Sequence, residues 1–128
     1  MKALASFVLI VAALAAAPAY ATCSYPKAPQ NIPDGASATM EQMVTAQKAV
    51  KAYNDEIKAY TDCLKLEHET TMAKESDKLT KEQKEQMEKV QVQKNNAAVD
   101  EAEQVTSRFN EQVKAFKTKS DKDKEKKG

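Results

Sequence analysis

The sequence predicts an all-α fold, namely a coiled-coil-like antiparallel two-helix hairpin with an extended proline-rich arm tied to its first helix by a disulfide. Three observations support this prediction. Apolar residues recur every three or four positions after Thr39. A second series of the same kind fills the C-terminal part of the chain. One cysteine lies in the arm, and the other lies beside the end of the first series.

The arm is predicted over residues 22–38. Pro26, Pro29 and Pro33 each fix φ and remove a backbone donor, which disfavours both a helix and a central strand. The arm ends at Asp34-Gly35, a pair that is typical of turns. We therefore expect an extended segment that turns sharply before the first helix begins.

The first helix is predicted over residues 39–75. Thr39 is a suitable N-cap, and Gln42 stands at the position from which a capping box is completed. The apolar positions of this helix form one stripe, which predicts a buried face. Its principal members are Met43, Val50, Tyr53, Ile57, Tyr60 and Leu64.

The second helix is predicted over residues 80–117, with Thr80 and Gln83 as a second capping pair. Asn95-Asn96 is the one place where this helix could kink. Two helices of nearly equal length with a short connection predict an antiparallel hairpin. We expect the apolar residues of both helices to form an interaction stripe, to which this helix contributes Val105, Phe109, Val113 and Phe116. Residues 118–128 alternate lysine with acidic residues and are expected to be disordered.

Residues 1–21 have the pattern of a secretory signal. A positive start at Lys2 precedes a run of apolar residues that Pro18 ends, and Ala19 and Ala21 place small residues where a signal peptidase cleaves. Cleavage after Ala21 would give a chain that starts at Thr22. A retained membrane helix is the alternative, but an apolar run of about 15 residues falls short of the roughly 20 that span a bilayer. Beyond the signal, the sequence predicts no integral membrane segment.

Cys23 and Cys63 are predicted to pair, since an exported chain tends to avoid unpaired cysteines. A helix from Thr39 to Cys63 would be about 36 Å long. The arm can reach about 50 Å when extended, so it can run back along the helix to Cys63. Lipidation of Cys23 is the alternative, although Tyr20 and Thr22 fit a lipidation signal poorly and Cys63 would lose its partner.

The charge balance argues against nucleic-acid binding. Removal of the signal takes away Lys2 and leaves 19 basic against 19 acidic residues. The last twelve residues hold six lysines against three acids, so the remainder is slightly acidic. Broad binding to nucleic acids requires a basic face, which this balance does not supply.

No catalytic set is visible, and we expect neither enzymatic activity nor a cofactor. The chain has one histidine and two glycines, so it lacks the residues for a Cys–His pair beside a disulfide or for a phosphate-binding loop. His68, Met72 and Glu75 share one helix face and are weak candidates for a copper or zinc site. A solvent-facing histidine is the simpler interpretation, because a second histidine is missing.

The arm carries the motif Cys-x-x-Pro-x-x-Pro-x-x-Ile-Pro-Asp-Gly from Cys23 to Gly35. It is followed by an ordered series of residues: Ala38, Thr39, Met43, Tyr53, Tyr60 and Cys63. This pattern resembles a group of small exported proteins of Gram-negative bacteria that has no assigned activity. The resemblance covers about 45 residues. It implies periplasmic export and the pairing of Cys23 with Cys63, and it implies no catalytic or binding residues.

These observations predict a non-catalytic periplasmic or envelope protein that acts through contacts with a protein partner or by self-association. The alternatives are a holdase-like periplasmic chaperone, whose helices would grip unfolded clients, and a weak metal binder at His68. The sequence does not identify the partner, the client or the oligomeric state.

Overall fold

The computed structural model describes residues 22–128, and the predicted signal segment lies outside this range. An extended arm leads to helix α1, Met40–Glu75, and a short 3₁₀ turn, Ser76–Lys78, connects it to helix α2, Lys81–Glu125. The helices form the predicted hairpin. Within residues 22–128, neither helix combines the length and the apolar character needed to cross a membrane.

Both helices begin with complete capping boxes. The Thr39 hydroxyl accepts from the Gln42 amide, and the Gln42 side chain accepts from the Thr39 amide. Thr80 and Gln83 repeat this exchange at the start of α2. Each box satisfies two of the amides that a helix start leaves without partners, so the predicted N-caps are confirmed.

The core is a single apolar layer along the seam between the two helices. Its members in α1 are buried to 5% exposure or less, and Tyr53 is 2% exposed. Across the seam, α2 contributes Ala98, Val105 and Phe109. No charged or polar residue of the described chain is buried.

The arm closes one side of this seam. Ala28 and Ile32 pack against the core cluster, and the Gly35 amide donates to the Gln112 side chain at 2.9 Å. A Cβ at Gly35 would lie 1.9 Å from the Gln112 carbonyl oxygen, so only glycine allows the turn to approach α2 this closely. The arm is therefore a third layer that contacts both helices.

Helix α2 does not end at Lys117 as predicted, because it continues to Glu125. The expectation that residues 118–128 are disordered is therefore wrong for most of that segment. Lysine and glutamate are good helix formers, and opposite charges four residues apart, such as Lys117 and Asp121, favour a helix that is already nucleated. The Lys119 ammonium also lies 3.5 Å from the Ala38 carbonyl oxygen. The helix is also continuous through Asn95-Asn96.

Candidate functional site

The predicted interaction stripe forms the interface between the two helices. Seven of its ten residues are buried: Met43, Val50, Tyr53, Ile57, Leu64, Val105 and Phe109. Tyr60, Val113 and Phe116 are half-buried and pack against the core cluster. The stripe is thus largely used within the chain, and a surface for another molecule must lie beside it.

A groove of about 660 Å³ runs along the side of the seam that the arm leaves uncovered. We call it the open groove. Helix α1 lines it with Asn54, Ile57, Lys58 and Thr61, and α2 lines it with Val99, Ala102, Glu103, Thr106, Ser107, Asn110, Glu111 and Lys114. Its floor is apolar and its edges carry both charges, which is typical of a surface that binds another helix.

Asn54 joins the two helices at the floor of the open groove. Its Nδ2 donates to the Thr106 hydroxyl at 3.1 Å, which links the two helices across the floor. Its Oδ1 is buried and has no hydrogen-bond partner within residues 22–128. A buried acceptor without a partner is costly, so this oxygen offsets part of the stabilisation that the bond to Thr106 supplies.

Helix α2 also carries a series of β-branched residues, of which the predicted interaction stripe includes only Val113. Val92, Val99, Thr106 and Val113 are spaced seven residues apart, so they share one helix face next to the core positions. Val92 and Val99 are 45% and 38% exposed. A helix with one partner needs only a narrow stripe, whereas this broader face is typical of a helix with two neighbours. The seven-residue spacing was the available signal.

The arm side of the hairpin is held by the disulfide and by tyrosines. Cys23 and Cys63 are bonded, with their Cα atoms 5.8 Å apart, as predicted. Tyr25 stacks edge-on against Tyr60 with ring centroids 5.0 Å apart, and its hydroxyl donates to the Glu101 carboxylate of α2. These contacts join the arm, α1 and α2 at one place.

The hydroxyl groups of Tyr25 and Tyr53 have raised pKa values. Burial raises the pKa of the Tyr25 hydroxyl, and the hydrogen bond to Glu101 raises it further. Burial also raises the pKa of Tyr53, and the charge of Glu101 adds to that effect. The Tyr53 hydroxyl lies near both groups, yet no hydrogen bond of ordinary geometry joins it to either. We call Tyr25, Tyr53, Tyr60 and Glu101 the tyrosine cluster. It keeps the phenols of Tyr25 and Tyr53 neutral beside the Glu101 carboxylate.

We expect the stability of the chain to fall in alkaline solution. Because both pKa values are higher in the folded chain than the 10.0 of free tyrosine, the stabilising effect is fully present below about pH 10 and is lost as the pH rises through the folded values. Phenolate absorbance of the folded chain should rise at a higher pH than that of the denatured chain. The substitution Tyr25→Phe should reduce the pH difference between these two titration curves. Superimposable titration curves would contradict this expectation.

Two of the three metal-ligand candidates, His68 and Glu75, line different cavities. His68 is half-buried and lines a cavity of about 250 Å³ between the helices, together with Leu64 and Met87. Glu75 is exposed and lines a different cavity, beside Cys63. Within residues 22–128, no three His, Cys, Asp or Glu side chains are grouped as metal ligands would be. The geometry adds no support for the predicted weak site at His68, Met72 and Glu75.

Comparisons with known proteins do not assign a function. No protein-family model, no curated protein and no solved structure matches the chain. The open groove and the tyrosine cluster are therefore interpreted from their own geometry.

Proposed function

We propose that this chain is an exported, non-catalytic protein that acts through protein contacts made at the open groove. The groove carries this proposal, because it is larger than the cavities beside Cys63 and His68 and combines an apolar floor with polar edges. From Val99 to Lys114, α2 rises about 22 Å, which is room for about four turns of a partner helix. The contact mode would be a helix laid into a groove.

Export is supported by two independent features. The first 21 residues have the pattern of a cleaved secretory signal. The disulfide between Cys23 and Cys63 is of a kind that persists in oxidising compartments and is rare in the cytosol. Together they support placement in the periplasm or the cell envelope, where a small domain with a thin core gains from a covalent cross-link.

The experiment that tests the contact surface is photo-crosslinking in the exporting cell. A photoreactive amino acid at Val99 lies in the groove, whereas one at Leu66, which is 64% exposed, lies outside it and serves as the matched control. The proposal predicts a discrete protein adduct at Val99 that is absent at Leu66. Equal labelling at both positions, or no adduct at Val99, would contradict it.

A further inference from the structure

We propose that the occupant of the open groove is a second copy of this chain, packed face to face so that the two hairpins form an antiparallel four-helix bundle. This inference rests on the groove being a contact surface, as proposed above, and it names the partner. The two-fold axis would cross the groove at the height of Ile57 and Ala102. In this arrangement α1 lies against α1 of the second copy, and α2 lies against α2 of the second copy.

The β-branched series of α2 is spaced symmetrically, so an antiparallel copy of the helix presents the same spacing in reverse. Its centre falls between Ala102 and Glu103. Reversal about that point places Val92 against Val113 of the second copy and Val99 against Thr106 of the second copy. A symmetric dimer requires a surface that is complementary to itself, and this series has that property.

The same two-fold rotation brings opposite charges of the two α1 helices together. Lys51 pairs with Asp55 at 2.9 Å and Lys58 with Asp62 at 2.7 Å, so the sign alternates along the exposed surface of α1. Of these four residues, Lys58 lines the open groove. Reversal about the point between Glu56 and Ile57 places Lys51 against Asp62 of the second copy and Lys58 against Asp55 of the second copy. Opposite charges therefore meet at four places along the pair of helices, which favours this orientation over a parallel one.

The two centres lie at the same height in the hairpin, so one axis serves both helices. Asn54, three residues before Ile57, bonds to Thr106, four residues after Ala102. Because the helices run in opposite directions, Ile57 and Ala102 face each other across the floor of the groove, which both residues line. The β-branched series of α2 and the charge pattern of α1 thus define the same two-fold axis independently.

Carbodiimide crosslinking tests the orientation directly. Within one helix, Lys51 and Asp62 are separated by about 16 Å along the axis, which a zero-length amide bond cannot span. An equal mixture of ¹⁴N- and ¹⁵N-labelled chains starting at Thr22 should give Lys51–Asp62 peptides that combine both labels. The absence of such mixed peptides would contradict the antiparallel arrangement.

Sedimentation equilibrium tests the surface. The chain from Thr22 should sediment as a dimer at sub-millimolar concentration, and Val99→Asp should convert it to a monomer with unchanged helix content. Leu66→Asp, outside the groove, should leave the dimer intact. Glu103 of the two copies would meet near the axis, so Glu103→Gln should tighten the association.

A charge exchange provides the control that does not depend on apolar contacts. Lys51→Glu with Lys58→Glu makes this surface acidic, and Asp55→Lys with Asp62→Lys makes it basic. Each double variant should be a monomer alone, and an equal mixture should form a heterodimer. A monomeric wild-type chain would overturn the inference. If Val99 then still crosslinked a different protein in the cell, the proposed function would stand without it.

Discussion

Replacing Cys23 and Cys63 by serine is expected to lower the free energy of unfolding by about 4 kcal/mol, the value that chain-entropy arguments give for a loop of this size. The bond spans 40 positions of sequence and ties the start of the arm to α1. Without it, the unfolded chain gains conformations, and the start of the arm depends on the bond from Tyr25 to Glu101 and on apolar contacts. Urea denaturation of the oxidised wild type and of the double variant measures the difference.

Two controls separate the cross-link from the side chains. Reduction of the wild type by a thiol should cause the same loss as the double substitution. Lys27→Ser, an exposed change in the same arm, should shift the free energy of unfolding by no more than about 0.5 kcal/mol. A loss below about 1 kcal/mol in the double variant would show that the arm contributes little to the fold.

Phe109→Ala is expected to lower the free energy of unfolding by about 3–5 kcal/mol. Phe109 is 8% exposed and belongs to the single apolar layer between the helices. Removal of its ring leaves a cavity that a two-helix seam has few neighbouring side chains to fill, because the arm covers only one side. The midpoint of urea denaturation, compared with that of the wild type, gives the effect.

The matched control for this substitution is Leu66→Ala. Leu66 is also a large apolar residue in a helix, but it is 64% exposed, so its truncation should cost no more than about 0.5 kcal/mol. Similar losses for the two variants would mean that the seam does not supply the main stabilising contacts. Both variants should retain the Cys23–Cys63 bond, which peptide mapping can verify.

The local chemistry of this chain made much of its fold predictable. Thr39 and Thr80 each stand three residues before a glutamine, and the capping boxes form at both. The spacing of apolar residues located the seam, and the length of the arm allowed Cys23 to reach Cys63. The capping boxes and the apolar spacing depend on residues close in sequence, and the disulfide depends on the length of the arm.

Features that depend on how the elements meet were not predictable in the same way. Tyr25 and Glu101 are far apart in sequence, and their contact follows only from the packing of the arm on both helices. Burial alone predicts a helix that ends at Lys117, whereas a nucleated helix continues through residues of high helix propensity. The open groove arises because the arm occupies one side of the seam, a choice of side that no periodicity encodes.

The two sides of the seam between the helices have different roles in the proposed function. One side is closed by the arm, the disulfide and the tyrosines, and it stabilises the hairpin. The other side keeps Val99 exposed above an apolar floor, with Lys58 and Glu103 at its edges. A contact surface on this side can therefore change by mutation without loss of the fold.

We propose that the chain is exported, cleaved after Ala21 and then cross-linked between its arm and α1. The most direct test is non-reducing tryptic mapping of the protein isolated from the cell envelope. We expect the peptide of residues 22–27, beginning at Thr22, to be joined through Cys23 to the peptide of residues 59–65 that contains Cys63. Free thiols at both cysteines, or a chain that retains Met1, would contradict it.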